Sequence, residues 1–157
     1  MKNEKGFSLV ELLVVVIIIA IIAAIAIPNL LSSRRAANEA SAISSLRSIH
    51  SAEATYQATL GGNTRYGTLA ELGGAPSGLI DSTLAAGAKS GYAFALTLDG
   101  TALQYCATAT PSSATTGFRV FAVSTAGVIF QSAPDGTTPP SCAAGVMTVP
   151  AGAAPIQ

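Results

Sequence analysis

Residues Lys5–Asn29, KGFSLVELLVVVIIIAIIAAIAIPN, decide the fold of the first third of this chain. The run from Leu12 to Ile27 is apolar over sixteen consecutive residues. Extending it back to Phe7 gives 21 residues, of which only Ser8 and Glu11 are polar. At about 1.5 Å per residue the longer segment reaches roughly 30 Å, enough to cross the core of a bilayer. Because a backbone in lipid must satisfy its own hydrogen bonds, the segment is predicted to be a membrane-spanning helix.

Two general interpretations of such a segment are available. A secretory signal peptide would use the basic start at Lys2 and Lys5, the apolar core and a small-x-small cleavage site at Ala24-Ile25-Ala26. The apolar run is slightly long for that role, and a leader has no use for the charge of Glu11. A single-pass anchor would keep the same lysines in the cytoplasm, although two arginines beyond the segment weaken the charge asymmetry.

The start of the segment, KGFSLVELL, resembles the prepilin processing motif of type IV pilins and pseudopilins. The resemblance implies that a dedicated membrane peptidase cuts after Gly6 and that the new N-terminal residue, Phe7, is then N-methylated. The family's glutamate at the fifth mature position matches Glu11, and its proline about twenty residues into the mature helix matches Pro28. The basic leader, the cleavage pair, the glutamate and the proline agree in order and spacing. The match is strong over roughly the first 55 residues and concerns architecture beyond them.

The resemblance gives Glu11 a physical purpose. A carboxylate in hydrocarbon is costly unless it is paired, and cleavage creates a new ammonium group at Phe7. We therefore expect Glu11 of one subunit to meet the Phe7 amine of another and to fix the register of assembly. The alternative is that Glu11 lies solvated at headgroup depth in the first helical turn, where the helix dipole favours a carboxylate. At Pro28 we expect a kink or a locally melted stretch near residues 24–28, within a helix that continues.

Beyond the membrane segment the pattern predicts an α+β domain. Residues 29–58 read as an amphipathic helix, and its predicted apolar stripe consists of Ala36, Ala40, Ile43, Leu46 and Ile49. The polar side chains expected to lie mostly away from the stripe are those of Arg34, Arg35, Glu39, Ser45, Arg47 and Ser48. The single histidine, His50, is predicted to be a packing or surface residue.

Four antiparallel strands are predicted to cover the helix, in the pilin-like arrangement of a long N-terminal helix packed on a four-stranded sheet. Their predicted ranges are Tyr92–Leu98, Ala102–Thr110, Phe118–Ser124 and Gly127–Ser132. Asp99-Gly100 predicts a two-residue hairpin turn, and a second hairpin is expected around Ala126-Gly127. The connection over residues 59–90 is predicted to contain two short helical turns. The tail from Ala133 is rich in Pro, Gly, Ala and Thr, with one short strand expected at Gly145–Val149.

The two cysteines, Cys106 and Cys142, favour a single disulfide if this region lies outside the cytoplasm, and two free buried thiols are the alternative. Pilins commonly close a C-terminal loop in this way, although here the first cysteine lies inside the predicted sheet. One histidine and two distant cysteines give no metal-ligand spacing, so neither a metal nor a cofactor is predicted. A calcium site built mainly from carbonyls stays open. The loop Thr108–Thr116 offers hydroxyls for O-linked sugar, but a plain solvated loop is favoured.

Composition excludes several classes of function. Half of the residues are hydrophobic, only 10% are charged and the formal net charge is zero, so the chain has no basic footprint for nucleic acid. There is no catalytic triad, phosphate-binding loop or dinucleotide fingerprint, and we predict that the protein is not an enzyme.

The resemblance implies a structural subunit that polymerises through its N-terminal helix into a type IV pilus. The expected segments are the leader (1–6), the membrane and filament-core half (7–28), the amphipathic half (29–58), the connection (59–90), the sheet (91–132) and the disulfide-tied tail (133–157). The implied partners are copies of the chain, the prepilin peptidase, inner-membrane assembly machinery and lipid before assembly. The implied location is the inner membrane, then an extracellular pilus. The alternatives are a type II secretion pseudopilin in a periplasmic pseudopilus, or an anchored or secreted periplasmic binding domain.

Overall fold

The computed structural model describes residues 7–133 and 139–156, and the chain divides into two compact units, Met1–Arg34 and Arg35–Gln157. The helices are α1 (Leu9–Ala58), α2 (Leu69–Gly73) and α3 (Ser82–Ala85). The strands are β1 (Ala88–Lys89), β2 (Tyr92–Leu98), β3 (Tyr105–Pro111), β4 (Phe121–Ser124), β5 (Ile129–Gln131), β6 (Ser141–Ala143), β7 (Val146–Thr148) and β8 (Ala154–Ile156). The α+β class predicted from the sequence is therefore confirmed.

The long helix α1 has 50 residues and ends at Ala58, as the sequence predicts. Glycines terminate it, because the Gly61 amide donates back to the Tyr56 carbonyl over 2.7 Å and Gly62 adopts a positive φ of 60°. That left-handed conformation costs glycine little and directs the chain away from the helix axis. The helical turns expected in the connection are α2 and α3, each capped by a side chain, Thr68 and Asp81 respectively.

The main sheet has six strands, so the predicted number of four is wrong. All neighbours are antiparallel, in the order β1-β2-β3-β4-β5-β8. The first additional strand, β1, has only two residues and directly precedes β2. The second, β8, comes from the tail, where proline content argued against regular structure. Pro155 is tolerated there because an edge strand leaves one row of amide positions without a ladder partner.

The turn predicted at Asp99-Gly100 is wrong in length. Strand β2 ends at Leu98 and its register partner in β3 is Tyr105, so six residues connect the strands. The Asp99 carboxylate accepts the Gln104 amide over 2.9 Å, and the Asp99 amide donates to the Gln104 carbonyl over 3.1 Å. This bonding closes a wider loop than the two-residue turn that Asp-Gly usually forms.

The predicted strand at Phe118–Ser124 is too long, because β4 begins only at Phe121. The backbone amides of Phe118 and Arg119 donate instead to the Glu39 carboxylate of α1, over 3.1 and 3.4 Å. These amides bond a helix side chain instead of a neighbouring strand, so the strand begins later in the sequence than predicted.

The buried stripe of α1 within the second unit is offset from the prediction. Ala36 and Ala40 are exposed, whereas Ser45 is buried although it was expected to lie away from the core. The buried side chains are those of Ala42, Ser45, Leu46, Ile49, Ala52, Glu53 and Tyr56. Their spacing of three or four residues is helical, but the stripe includes a serine and a glutamate, which a search for apolar residues does not select. This stripe packs into a core with residues of the sheet and of α2 and α3, among them Phe121, Val123, Leu72 and Leu84.

Candidate functional site: the N-terminal helix

Glu11 caps the N-terminus of α1. The helix begins at Leu9, and the Glu11 carboxylate in its first turn accepts the backbone amide of Ser8 over 3.0 Å. This is one half of a capping box, and the carboxylate also lies where the helix dipole favours negative charge. The bond uses one of the two carboxylate oxygens, so a capping role leaves Glu11 able to accept a further donor.

Glu11 also lies in an open crevice whose other walls are apolar. The crevice is lined by Phe7, Val10, Glu11, Val14 and Val15, and Phe7 is 77% exposed. A cation placed here would meet one carboxylate within a largely apolar surround. The structure contains one copy of the chain, so the expected pairing of Glu11 with the Phe7 amine of another copy stays a prediction. Gly6, the predicted cleavage position, lies outside the described residues.

The apolar side chains that follow are exposed in the part of the chain that the structure describes. The large apolar side chains from Leu9 to Ile27 are each about half exposed or more. The helix is long and apolar enough to span a membrane, with a mean hydropathy of 3.3 over its most apolar window, no part of which is buried. An exposed apolar surface of this size marks contact with a membrane or with other protein.

Pro28 lies inside α1, and the helix continues through it. Of the two expectations for residues 24–28, the locally melted stretch is wrong and the kink stays a prediction, whereas the expected continuation of the helix is confirmed. Proline lacks an amide hydrogen, so it cannot donate to the Ala24 carbonyl one turn earlier. The next residue, Asn29, places its side-chain amide 3.1 Å from the Ile25 carbonyl and adds a local bond in the weakened turn.

The two cysteines are joined in the structure. A disulfide links Cys106, which is fully buried in β3, to Cys142 in β6, with Cα atoms 5.6 Å apart. Strands β6 and β7 form a separate hairpin with Ser141 opposite Thr148. The bond therefore fastens this hairpin of the tail to the main sheet.

A polar network lies where α1 ends. The Arg65 guanidinium donates to Glu71 over 2.9 Å and to the Tyr56 hydroxyl over 2.6 Å. Hydrogen bonds from Arg65 and then from the Thr68 backbone lower the pKa of Glu71 to about 2. Thr68 and Glu71 also form the complete capping box of α2. These bonds hold the connecting segment at the end of the long helix.

His50 takes part in packing, in line with the sequence interpretation. It is half-buried, and its Nδ1 forms a short hydrogen bond with the Tyr105 hydroxyl of β3. Burial raises the pKa of Tyr105 well above its usual range. Within residues 7–133 and 139–156 no three His, Cys, Asp or Glu side chains are grouped closely enough to hold a metal ion.

Sequence reasoning missed three polar residues. Ser8 with Glu11 forms the pattern Ser-x-x-Glu immediately before an apolar run, which is a recognised sign of a helix start and could have been found. Asn29 had no signal beyond its position after a proline. Glu53 is fully buried in the domain core, and helical spacing placed it near the apolar stripe without revealing its burial.

Comparison with known proteins points to the same segment. Residues 1–27 match the family model described as the prokaryotic N-terminal methylation motif. Over 39 residues the chain is 46% identical to the type IV wide pilus major component PilA4 of Thermus thermophilus, a match that covers 25% of this chain and 30% of that relative. The match thus spans less than a third of the relative's length. No solved structure matches the chain.

The motif, the pilin relative and the uncovered apolar helix thus agree on one assignment. The N-terminal segment of this chain therefore carries the prokaryotic N-terminal methylation motif and is similar to that of a type IV pilus component.

Proposed function

We propose that the chain is a structural pilin subunit that polymerises through α1 into a type IV pilus after cleavage between Gly6 and Phe7. The observation that carries the proposal is an exposed apolar helix segment that lies within the N-terminal methylation motif. The proposed partners are further copies of the chain, a prepilin peptidase, the inner-membrane assembly machinery and lipid before assembly.

The energetics favour a segment that stays in apolar surroundings at every stage. Fourteen large apolar side chains between Leu9 and Ile27 are about half exposed or more. Full burial of such a side chain contributes about 1.5–3 kcal/mol, so covering the exposed part of all fourteen contributes roughly 10–25 kcal/mol. Lipid can supply that cover before assembly, and neighbouring helices can supply it in a filament. The same surface thus serves as anchor and as polymer core.

The proposed contact between subunits is heterologous. Glu11 of one copy forms an ion pair with the Phe7 amine of another, so the two copies contribute different groups. Such a contact need not close into a ring. Repetition of such a contact produces a fibre. A pilus component among the relatives favours a pilus over a secretion pseudopilus.

The test is to replace Gly6 in the full chain and follow processing together with a prepilin peptidase. A bulky residue at the cleavage position, as in Gly6→Leu, is expected to leave the leader attached and to abolish filaments in the sheared fraction. The control Asn3→Leu makes the same kind of change elsewhere in the leader and is expected to be processed normally. Normal cleavage of Gly6→Leu contradicts the assignment. Processed chains found only in short periplasmic filaments indicate the pseudopilin alternative.

A further inference from the structure

Glu53 is a carboxylic acid enclosed in the core of the second unit. Its side chain is fully buried on α1, between the core residues Ile49 and Tyr56. One carboxylate oxygen accepts the backbone amide of Gly67 over 2.9 Å, and the other is buried without a hydrogen-bond partner among the described residues. A buried charged group in this state is costly, because the unpaired oxygen loses its hydration and gains nothing in return.

The charged and titratable groups around Glu53 do not supply the missing partner. They are His50 and Tyr56 on α1, Arg65 and Tyr66 in the connection after α1, Glu71 on α2, and Tyr105 on β3. The nearby cation, Arg65, donates to Glu71 and Tyr56 and forms its ion pair with Glu71. None of the ion pairs among the described residues includes Glu53.

The contact that Glu53 makes is a tight one. Gly67 is buried, and a Cβ atom at this position would lie 3.1–3.2 Å from the ring of Tyr56. A side chain at residue 67 would therefore require the Tyr56 ring to shift by a few tenths of an ångström. Water could reach the unpaired oxygen of an ionised Glu53 only if this packing opened.

We propose that Glu53 is a pH-dependent latch: the neutral acid lets α1 pack against the connection at Gly67, and loss of the proton leaves an incompletely paired charge in this packing and loosens it. The Gly67 amide bond by itself favours the carboxylate, but the loss of hydration on burial is the larger effect. The direction follows from linkage, because the folded unit binds the proton more tightly than the unfolded chain does. Burial is the largest cause, and it raises the pKa of Glu53 from 4.5 to about 7. The stabilisation by the proton is fully present below pH 4.5 and is lost as the pH rises through about 7. From pH values well below 4.5 to values well above 7, the folding equilibrium constant of the unit falls about 300-fold, or roughly 3.4 kcal/mol at 1.36 kcal/mol per pH unit.

The test compares the full chain in detergent micelles with its Glu53→Gln variant. All four tyrosines lie between residues 56 and 105 and the chain has no tryptophan, so tyrosine fluorescence reports on this unit during urea unfolding. Between pH 4.5 and 7.5 the folding equilibrium constant of the wild type is expected to fall, and that of Glu53→Gln, whose amide cannot ionise, is expected to fall about 100-fold less. Glu39→Gln removes a carboxylate from the same helix and is expected to keep the wild-type dependence. The proposal is overturned if the free energy of unfolding changes with pH by the same amount in the wild type and in Glu53→Gln.

Two further measurements use only the wild type and stay decisive if Glu53→Gln does not fold. The side-chain carboxyl carbon of Glu53, followed by NMR, is expected to titrate within one pH unit of 7, and a midpoint near 4.5 overturns the proposal. Hydrogen exchange at the Gly67 amide, corrected for the intrinsic rate, is expected to lose protection between pH 6 and 8. Unchanged protection there contradicts the latch.

Discussion

Replacement of Glu11 separates its two possible roles, the capping of α1 and the pairing with another subunit. In Glu11→Gln the side-chain carbonyl can still accept the Ser8 amide, whereas Glu11→Ala removes this bond. Loss of a helix cap costs about 0.5–2 kcal/mol. Removing one partner of a buried ion pair costs about 3–5 kcal/mol, which weakens the association of subunits roughly 100- to 5,000-fold. If pairing drives assembly, both variants must lose filaments, and the retained cap of Glu11→Gln must not rescue them.

The assay measures the subunit in the membrane fraction and in the sheared filament fraction of the same cells. Both Glu11 variants are expected to insert as the wild type does, because removing a charge does not oppose insertion. The control Glu39→Gln makes the same change in charge on the same helix beyond the apolar segment and is expected to assemble. Filaments from Glu11→Gln at the wild-type level refute the pairing argument, and filaments from this variant but not from Glu11→Ala assign the role to the cap.

Two further predictions concern the second unit. Replacing Cys106 and Cys142 by serine removes a crosslink between residues 36 apart, which is expected to lower the free energy of unfolding by about 4 kcal/mol in urea titrations, and an unchanged midpoint contradicts this. The second concerns Glu71, whose pKa is lowered to about 2 by bonds from Arg65 and Thr68, so its stabilisation is present above pH 4.5 and is lost as the pH falls through about 2. Glu71→Gln is therefore expected to lose less stability than the wild type between pH 5 and 2. If the free energy of unfolding falls equally in both proteins, the Glu71 carboxylate does not have this stabilising role.

Much of the fold could be predicted because its signals are local. An uninterrupted apolar run predicts a helix in lipid, and the glycines at 61 and 62 mark the end of α1 at Ala58. The strand predicted at Tyr92–Leu98 is β2, in which Tyr92 and Phe94, two residues apart, are both buried. Each of these features depends on residues that are close in sequence.

The errors arose where a polar side chain bonds a backbone amide outside its own helical turn or strand, at sequence distances from 5 to 80 residues. The Glu39 carboxylate accepts hydrogen bonds from the amides of Phe118 and Arg119, which are 79 and 80 residues away, and β4 is shorter as a result. Glu53 belongs to the core because a buried amide of the connection donates to it. Asp99 widens its turn because its carboxylate bonds Gln104. A periodicity of apolar residues carries no information on such bonds.

For the candidate site, the sequence supplied the motif and the structure supplied its surroundings. Gly6, Phe7, Glu11 and Pro28 were selected because they match the prepilin motif of type IV pilins in order and spacing. The structure adds the bond from Ser8, the crevice around Glu11 and the continuity of the helix at Pro28. Contacts with another copy depend on a surface that one chain cannot define, so the pairing of Glu11 with Phe7 stays a prediction.

Mass spectrometry of the N-terminal peptide from sheared filaments tests the central claim most directly. The filaments are collected from cells that express the unaltered chain, and peptides are assigned without assuming where the mature protein begins. We expect a chain that starts at Phe7 and carries one N-methyl group, present as a component of the filament. A chain that starts at Met1 or at Ile27, or filaments that lack this chain, would contradict the account.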